Sequence, residues 1–143
     1  MKRSWKAVLI AGTVFGLFGG AFAGLVVWNA VGQGWRGFIP FAAFAAFAVG
    51  AVAWRWISPL KLRWSGAVAG AVAGLASHPL AWYAFIVAAW VSGAKSSLSE
   101  PTVNPLEAVP AALFFTAWSW LFTGWLTVPI GAALGYGLSR VLK

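Results

Sequence analysis

The chain has 143 residues, of which 62% are hydrophobic and 8% charged, with no cysteine and a formal net charge of +8. So few ionised side chains do not keep a soluble domain of this length monomeric in water, and the composition also excludes a disordered tail and a disulfide-stapled secreted module. What remains is a chain whose main solvent is lipid.

A hydrocarbon layer about 30 Å thick takes roughly 20 apolar residues of helix at about 1.5 Å each. Four stretches meet this requirement, about 7–28, 37–57, 66–91 and 110–138. They predict one all-helical membrane domain, a four-transmembrane-helix bundle. The last two exceed the minimum, which predicts tilt or kinking there.

The first span follows the basic residues Lys2, Arg3 and Lys6 and carries Gly12, Gly16, Gly20 and Gly24, each four apart. Residues four apart form one ridge of a helix, and a ridge without side chains admits another backbone (the GxxxG pattern). A cleaved leader is the competing reading of this segment. Its n-region would end at Lys6, its h-region would run from Ala7 to Gly20, and Ala21-Phe22-Ala23 would be the cleavage site. The apolar run continuing to Trp28, and glycines at 12, 16, 19 and 20, argue against it.

After a short connection holding Arg36, the second span is a phenylalanine–alanine series with Phe38, Phe41, Phe44 and Phe47. Arg55, Lys61 and Arg63 separate it from the third span. That span carries Gly66, Gly70 and Gly74 in the same fourfold spacing, with His78 next in the series, Ser77 before it and Pro79 after it. Pro79 lacks an N–H and so frees the carbonyl of Leu75. His78 is the only histidine, and it sits about midway along the span, near the bilayer midplane. Ionisable groups at that depth are rare and mark sites by default.

The loop at about 92–109 is polar and holds Lys95, Glu100 and Glu107. Its Asn104-Pro105-Leu106-Glu107 run predicts a helix start, with Asn104 as N-cap, Pro105 at N1 and Glu107 at N3. The fourth span carries Thr116, Ser119, Thr123 and Thr127 at i, i+3, i+7 and i+11, a continuous polar stripe on a regular helix. Thr123 and Ser119 fall at about the depth of His78. Gly131 and Gly135 close the span, and Arg140 and Lys143 follow it.

Three inferences rest on this layout. Basic residues concentrate at the start, between spans two and three, and at the end, which predicts cytoplasmic termini in a bacterial-type inner membrane and an external 92–109 loop. That distribution explains the charge through anionic lipid headgroups rather than nucleic acid. The glycine ridges predict helix packing, either of span one on span three or of one chain on another in a homo-oligomer or larger complex. The former is the favoured arrangement. A weak repeat accompanies them, since each half has basic residues, Trp, a glycine ridge and then an aromatic span.

Most of the tryptophans, including Trp5, Trp28, Trp54 and Trp64, fall near predicted span ends, where amphipathic rings anchor. Trp82, Trp118, Trp120 and Trp125 fall inside, where an indole N–H needs a partner. The chemistry inventory is thin. There is no Asp, no carboxylate within a span, no metal-ligand spacing, no nucleophile motif and no phosphate loop. It predicts a non-enzyme without cofactor or metal, above all a scaffold or accessory subunit associating through its glycine faces. The alternative is a small transporter or channel, with His78, Ser77, Thr116, Ser119, Thr123 and Thr127 along the path. A third reading makes His78 an axial ligand to haem or a pigment.

Overall fold

A computed structural model describes residues 4–31, 33–60, 62–95 and 102–142. Lys2, Arg3, Lys61, Glu100 and Lys143, which enter the charge argument, lie outside them. The first helix, α1, is Trp5–Val26, opened by Ser4, whose Oγ accepts the Ala7 N–H at 3.3 Å. A π turn over Val27–Val31 and a 3-10 segment over Gln33–Phe38 lead into α2, Ile39–Ile57. The third helix, α3, is Ser65–Val91. The last span is broken in two, α4 (Ala108–Ser119) and α5 (Trp125–Val141), joined by a π turn over Trp120–Gly124. No strand occurs among the described residues. Four helices are thus long and apolar enough to cross a membrane, at 5–29, 35–57, 65–91 and 108–141.

Asn104 caps a turn ahead of the last span rather than the helix itself. The N-cap of α4 is Glu107, with no side-chain cap bond, so Pro105 and Glu107 are not its N1 and N3 residues. The Asn104 Oδ1 accepts the N–H groups of Leu106 at 2.9 Å and Glu107 at 3.1 Å, and its carbonyl accepts that of Ala108 at 2.8 Å. The residues 105–107 form a turn before the regular helix begins.

Successive spans run antiparallel, so both described ends of the chain lie at one end of the bundle. The main packing is α1 on α2, α2 on α3, and α3 on α4 and α5; α1 meets α5 only sparsely. The core is built of small residues around two large ones. Val8, Ala11, Phe15, Ala53, Trp54, Ala69 and Ala73 form one buried cluster drawn from α1, α2 and α3. Trp54 corrects the anchoring expectation, because its side chain is 0% exposed and has no contact with the lipid-facing surface. It shares a helix end with Arg55, but the turn of the helix aims it inward, while Trp56 is 74% exposed.

The glycine positions also correct an expectation. A Cβ on Gly12 would stand 3.1 Å from the Ala51 Cβ, one on Gly16 3.2 Å from the Ala43 carbonyl oxygen, and one on Gly20 3.1 Å from the Ala43 Cβ. Those neighbours are on α2. A Cβ on Gly66 would stand 2.5 Å from the Gly135 carbonyl oxygen, one on Gly70 would meet that of Gly131, and one on Gly74 that of Thr127. Those are on α5. Spans one and three therefore do not meet ridge to ridge. In each half of the chain the glycine-bearing helix lies against the span that follows it. Fourfold spacing states how close a neighbour can come and says nothing about which neighbour it is. Gly24 has nothing within 4 Å of a Cβ built on it.

Aromatic and basic side chains collect at the end of the bundle that holds both described ends of the chain. The Arg55 guanidinium lies 5.4 Å over the Trp5 ring and that of Arg63 lies 5.6 Å over Trp64. Trp64 stacks on Tyr136 at 5.3 Å, and Arg140 lies 4.9 Å over the Tyr136 ring while donating to its hydroxyl. Amphipathic rings beside guanidinium groups suit a headgroup boundary.

Candidate functional site

The register set by the glycines fixes what faces His78. With Gly66, Gly70 and Gly74 opposite Gly135, Gly131 and Thr127, the next step along both helices puts Thr123 opposite His78 in depth. A helical side chain leans toward its own N-terminus. The imidazole accordingly reaches one turn back, and its Nε2 lies 3.2 Å from the Thr127 Oγ1. One turn further along α3, the Trp82 Nε1–H donates to the Ser119 Oγ at 2.6 Å. The Ser119 hydroxyl donates in turn to the Phe115 carbonyl at 2.9 Å, and that of Thr123 to the Ser119 carbonyl at 2.7 Å.

These side chains border a single cavity of about 340 Å³ inside the bundle. Ser77, His78, Ser119, Thr123 and Thr127 all line it, and so do Phe15, Phe18 and Phe22 of α1, Trp118 of α4 and Phe122 of the π turn. Phe38, just before α2, and Ala46 of α2 line it as well, so all four spans contribute. The size falls at the low end of the ~300–1,000 Å³ typical of small-molecule sites. No charged side chain lines the cavity. The arrangement suits a neutral, mostly apolar guest with one hydrogen-bonding atom. It does not suit an ion.

Thr116 is the exception among the proposed polar residues. It is 1% exposed, does not line the cavity, and its Oγ1 has no partner among the described residues. The stripe at i, i+3, i+7 and i+11 assumes an uninterrupted α-helix. The π turn over Trp120–Gly124 breaks that regularity beyond Ser119. Thr116 and Ser119 share α4, about 60° apart around its axis, and only Ser119 borders the cavity.

The same turn solves the problem Pro79 creates. Trp120, at its start, donates its Nε1–H to the Leu75 carbonyl at 3.1 Å. That carbonyl is the one Pro79 deprives of its helical donor. The sequence marks both the orphan and the interior indole, but not their meeting, which depends on the pairing of α3 with the last span. Trp120→Phe costs about 1 kcal/mol by stranding the carbonyl, and in a Pro79→Ala background, where the backbone N–H returns, the cost falls toward zero. A double-mutant cycle on detergent unfolding reads the difference; equal costs in both backgrounds refute the compensation.

Trp125 finds a local partner, donating to the Phe122 carbonyl at 2.9 Å. Aromatic contact was legible as composition only. The structure gathers Trp35, Phe38, Phe85 and Phe115 around Trp82, with ring centroids 5.8, 4.4, 6.3 and 4.8 Å away. This cluster packs the end of the cavity away from the termini. No group of three or more metal-binding side chains occurs among the described residues. No family model, curated protein or solved structure matches the chain.

Proposed function

We propose that this chain is a non-catalytic, multi-pass protein of a bacterial-type inner membrane that holds a small lipid-soluble molecule within its helix bundle, as a carrier or an accessory subunit. The observation that carries this reading is the cavity shared by all four spans, into which Ser77, His78, Ser119, Thr123 and Thr127 converge. Its apolar lining favours a guest drawn from lipid over a column of water, so any transport by the chain is movement of that guest. The glycine faces support the reading indirectly. Those of Gly12, Gly16, Gly20, Gly66, Gly70 and Gly74 are occupied within the chain, which gives the cavity a rigid frame and leaves a homo-oligomer or larger complex to other surfaces. The haem reading is weaker, because the Nε2 of His78 is already engaged by Thr127.

Decylbenzene, an apolar ring with a tail, tests the binding. Wild type in mild detergent retains one equivalent in native mass spectrometry, and Ser77→Trp, which fills the cavity, retains none while melting near the wild-type temperature. Retention undiminished in Ser77→Trp removes the cavity as the site.

The proposed orientation places both termini in the cytoplasm beside anionic lipid headgroups, with the 92–109 loop outside. Lys6 and Lys95 are both exposed at opposite ends of the bundle. An impermeant amine reagent on sealed cells then labels Lys95 and spares Lys6. The reverse pattern inverts the protein in its membrane.

A further inference from the structure

The cavity has aromatic walls and a small polar patch. Trp82 and Phe115 stack at 4.8 Å on one side, Trp118 and Phe122 at 5.6 Å with ring planes 9° apart on another. Flat walls of this kind suit a flat guest, since aromatic rings gain most from offset or edge-to-face contact with another ring. The polar patch is mostly spent. Ser119 and Thr123 donate to backbone carbonyls, and Thr127 engages the Nε2 of His78. No other described group bonds the His78 Nδ1 or the Ser77 hydroxyl. Both therefore retain capacity for a ligand oxygen beside the cavity they line.

Size adds a constraint. About 340 Å³ accommodates a ring but not a long chain as well. The wall between α1 and α4 is where a chain can leave. The two helices share the cavity lining, yet α1 packs along α2 and α4 along α3, without close packing between them. Phe18 and Phe22 of α1, Trp118 of α4 and Phe122 of the π turn line the cavity here, and the last two are exposed on the outer surface.

We propose that the cavity binds a neutral planar ring bearing a hydrogen-bonding carbonyl or hydroxyl oxygen and an aliphatic tail, the chemistry of a membrane quinone. The ring lies among Trp82, Phe115, Trp118 and Phe122, its oxygen meets His78 or Ser77, and the tail passes between α1 and α4 into the lipid. This deepens the binding function proposed above and rests on it.

Decylubiquinone and decylbenzene share a tail and differ in the oxygens, so their comparison in nanodiscs isolates the claim. Wild type binds decylubiquinone about tenfold tighter, the worth of one net hydrogen bond, and the preference disappears in the variant His78→Phe, Ser77→Ala. A carbonyl stretching band lowered on binding, relative to the quinone in protein-free nanodiscs, is a second readout that needs no variant. Equal affinities, a preference that survives in the double variant, or an unshifted band overturns the quinone assignment. Binding of decylbenzene alone does the same and leaves the binding function standing. Failure of both compounds to bind overturns both.

Discussion

Gly70→Ala lowers the stability of the folded protein by about 3 kcal/mol or more in detergent, while Gly24→Ala leaves it unchanged or raises it by a few tenths. Both exchanges add one methyl group to a glycine of a fourfold series. Their surroundings differ. A Cβ on Gly70 meets the carbonyl oxygen of Gly131, and lies 3.1 Å from the Gly135 Cα. These are backbone atoms on a packed helix, so no side-chain rotation makes room, and α3 and α5 must separate. Gly131 and Gly135 stand in the reciprocal position, against the carbonyls of Gly70 and Gly66. At Gly24 nothing lies within 4 Å, and only the gain in helix propensity remains. That propensity gain also acts at Gly70, so the measured loss understates the collision. Gly12→Ala falls between, because its nearest neighbours are the Ala51 Cβ and the Phe47 ring, both 3.1 Å away, and a ring yields more easily than backbone. Reversible unfolding in mixed micelles measures all three. A Gly70→Ala protein as stable as Gly24→Ala would refute the backbone approach between α3 and α5.

Trp54→Ala costs about 3–5 kcal/mol, whereas Trp54→Phe costs about 1.5 kcal/mol or less. Trp54 is the largest fully buried side chain among the described residues and sits among Val8, Ala11, Phe15, Ala69 and Ala73. Those neighbours are mostly alanines and cannot rearrange to fill the space an indole leaves. The contrast with phenylalanine comes from the indole nitrogen. Its Nε1–H is buried with no acceptor among the described residues, so its replacement by a phenyl ring removes a desolvated donor and recovers part of the lost packing. Trp56→Ala, at a 74% exposed position two residues away, changes fold stability by about 0.5 kcal/mol or less. Equal losses at Trp54 and Trp56 would return Trp54 to the boundary position its sequence context suggests.

That contrast shows where sequence stops being informative. Hydropathy reveals four long apolar helices because lipid acts on each span separately, and the requirement is written within some twenty consecutive residues. The Asn104 bonds to Leu106 and Glu107 are legible for the same reason, since donor and acceptor lie within three residues of each other, but the sequence does not show that they close a turn ahead of α4. The site is legible in composition and depth. His78 and the hydroxyls of span four stand out as polar groups where apolar ones are cheaper, and of the five polar residues that line the cavity Ser119, Thr123 and Thr127 lie on the predicted stripe and His78 lies beside Pro79. Partners across helices are not legible. The spacing of Gly12, Gly16 and Gly20 is the same whether the neighbour is α2 or α3. The stripe presumes a regular helix, and a π turn has no spacing signature of its own. Trp54 reads as an anchor because Arg55 follows it, and only the angular position on α2 turns it inward.

The wide turn at Trp120–Gly124 also ties two distant parts of the molecule to one residue count. In a helix each residue advances the azimuth by about 100° and the axis by about 1.5 Å. Deleting one residue there would make the last span regular, and everything beyond it would swing by that angle against α3. Gly131 and Gly135 would leave Gly70 and Gly66 in the same movement that takes Thr127 from His78. Cavity and helix seam are therefore geared together through a single insertion, and neither can be re-indexed without the other.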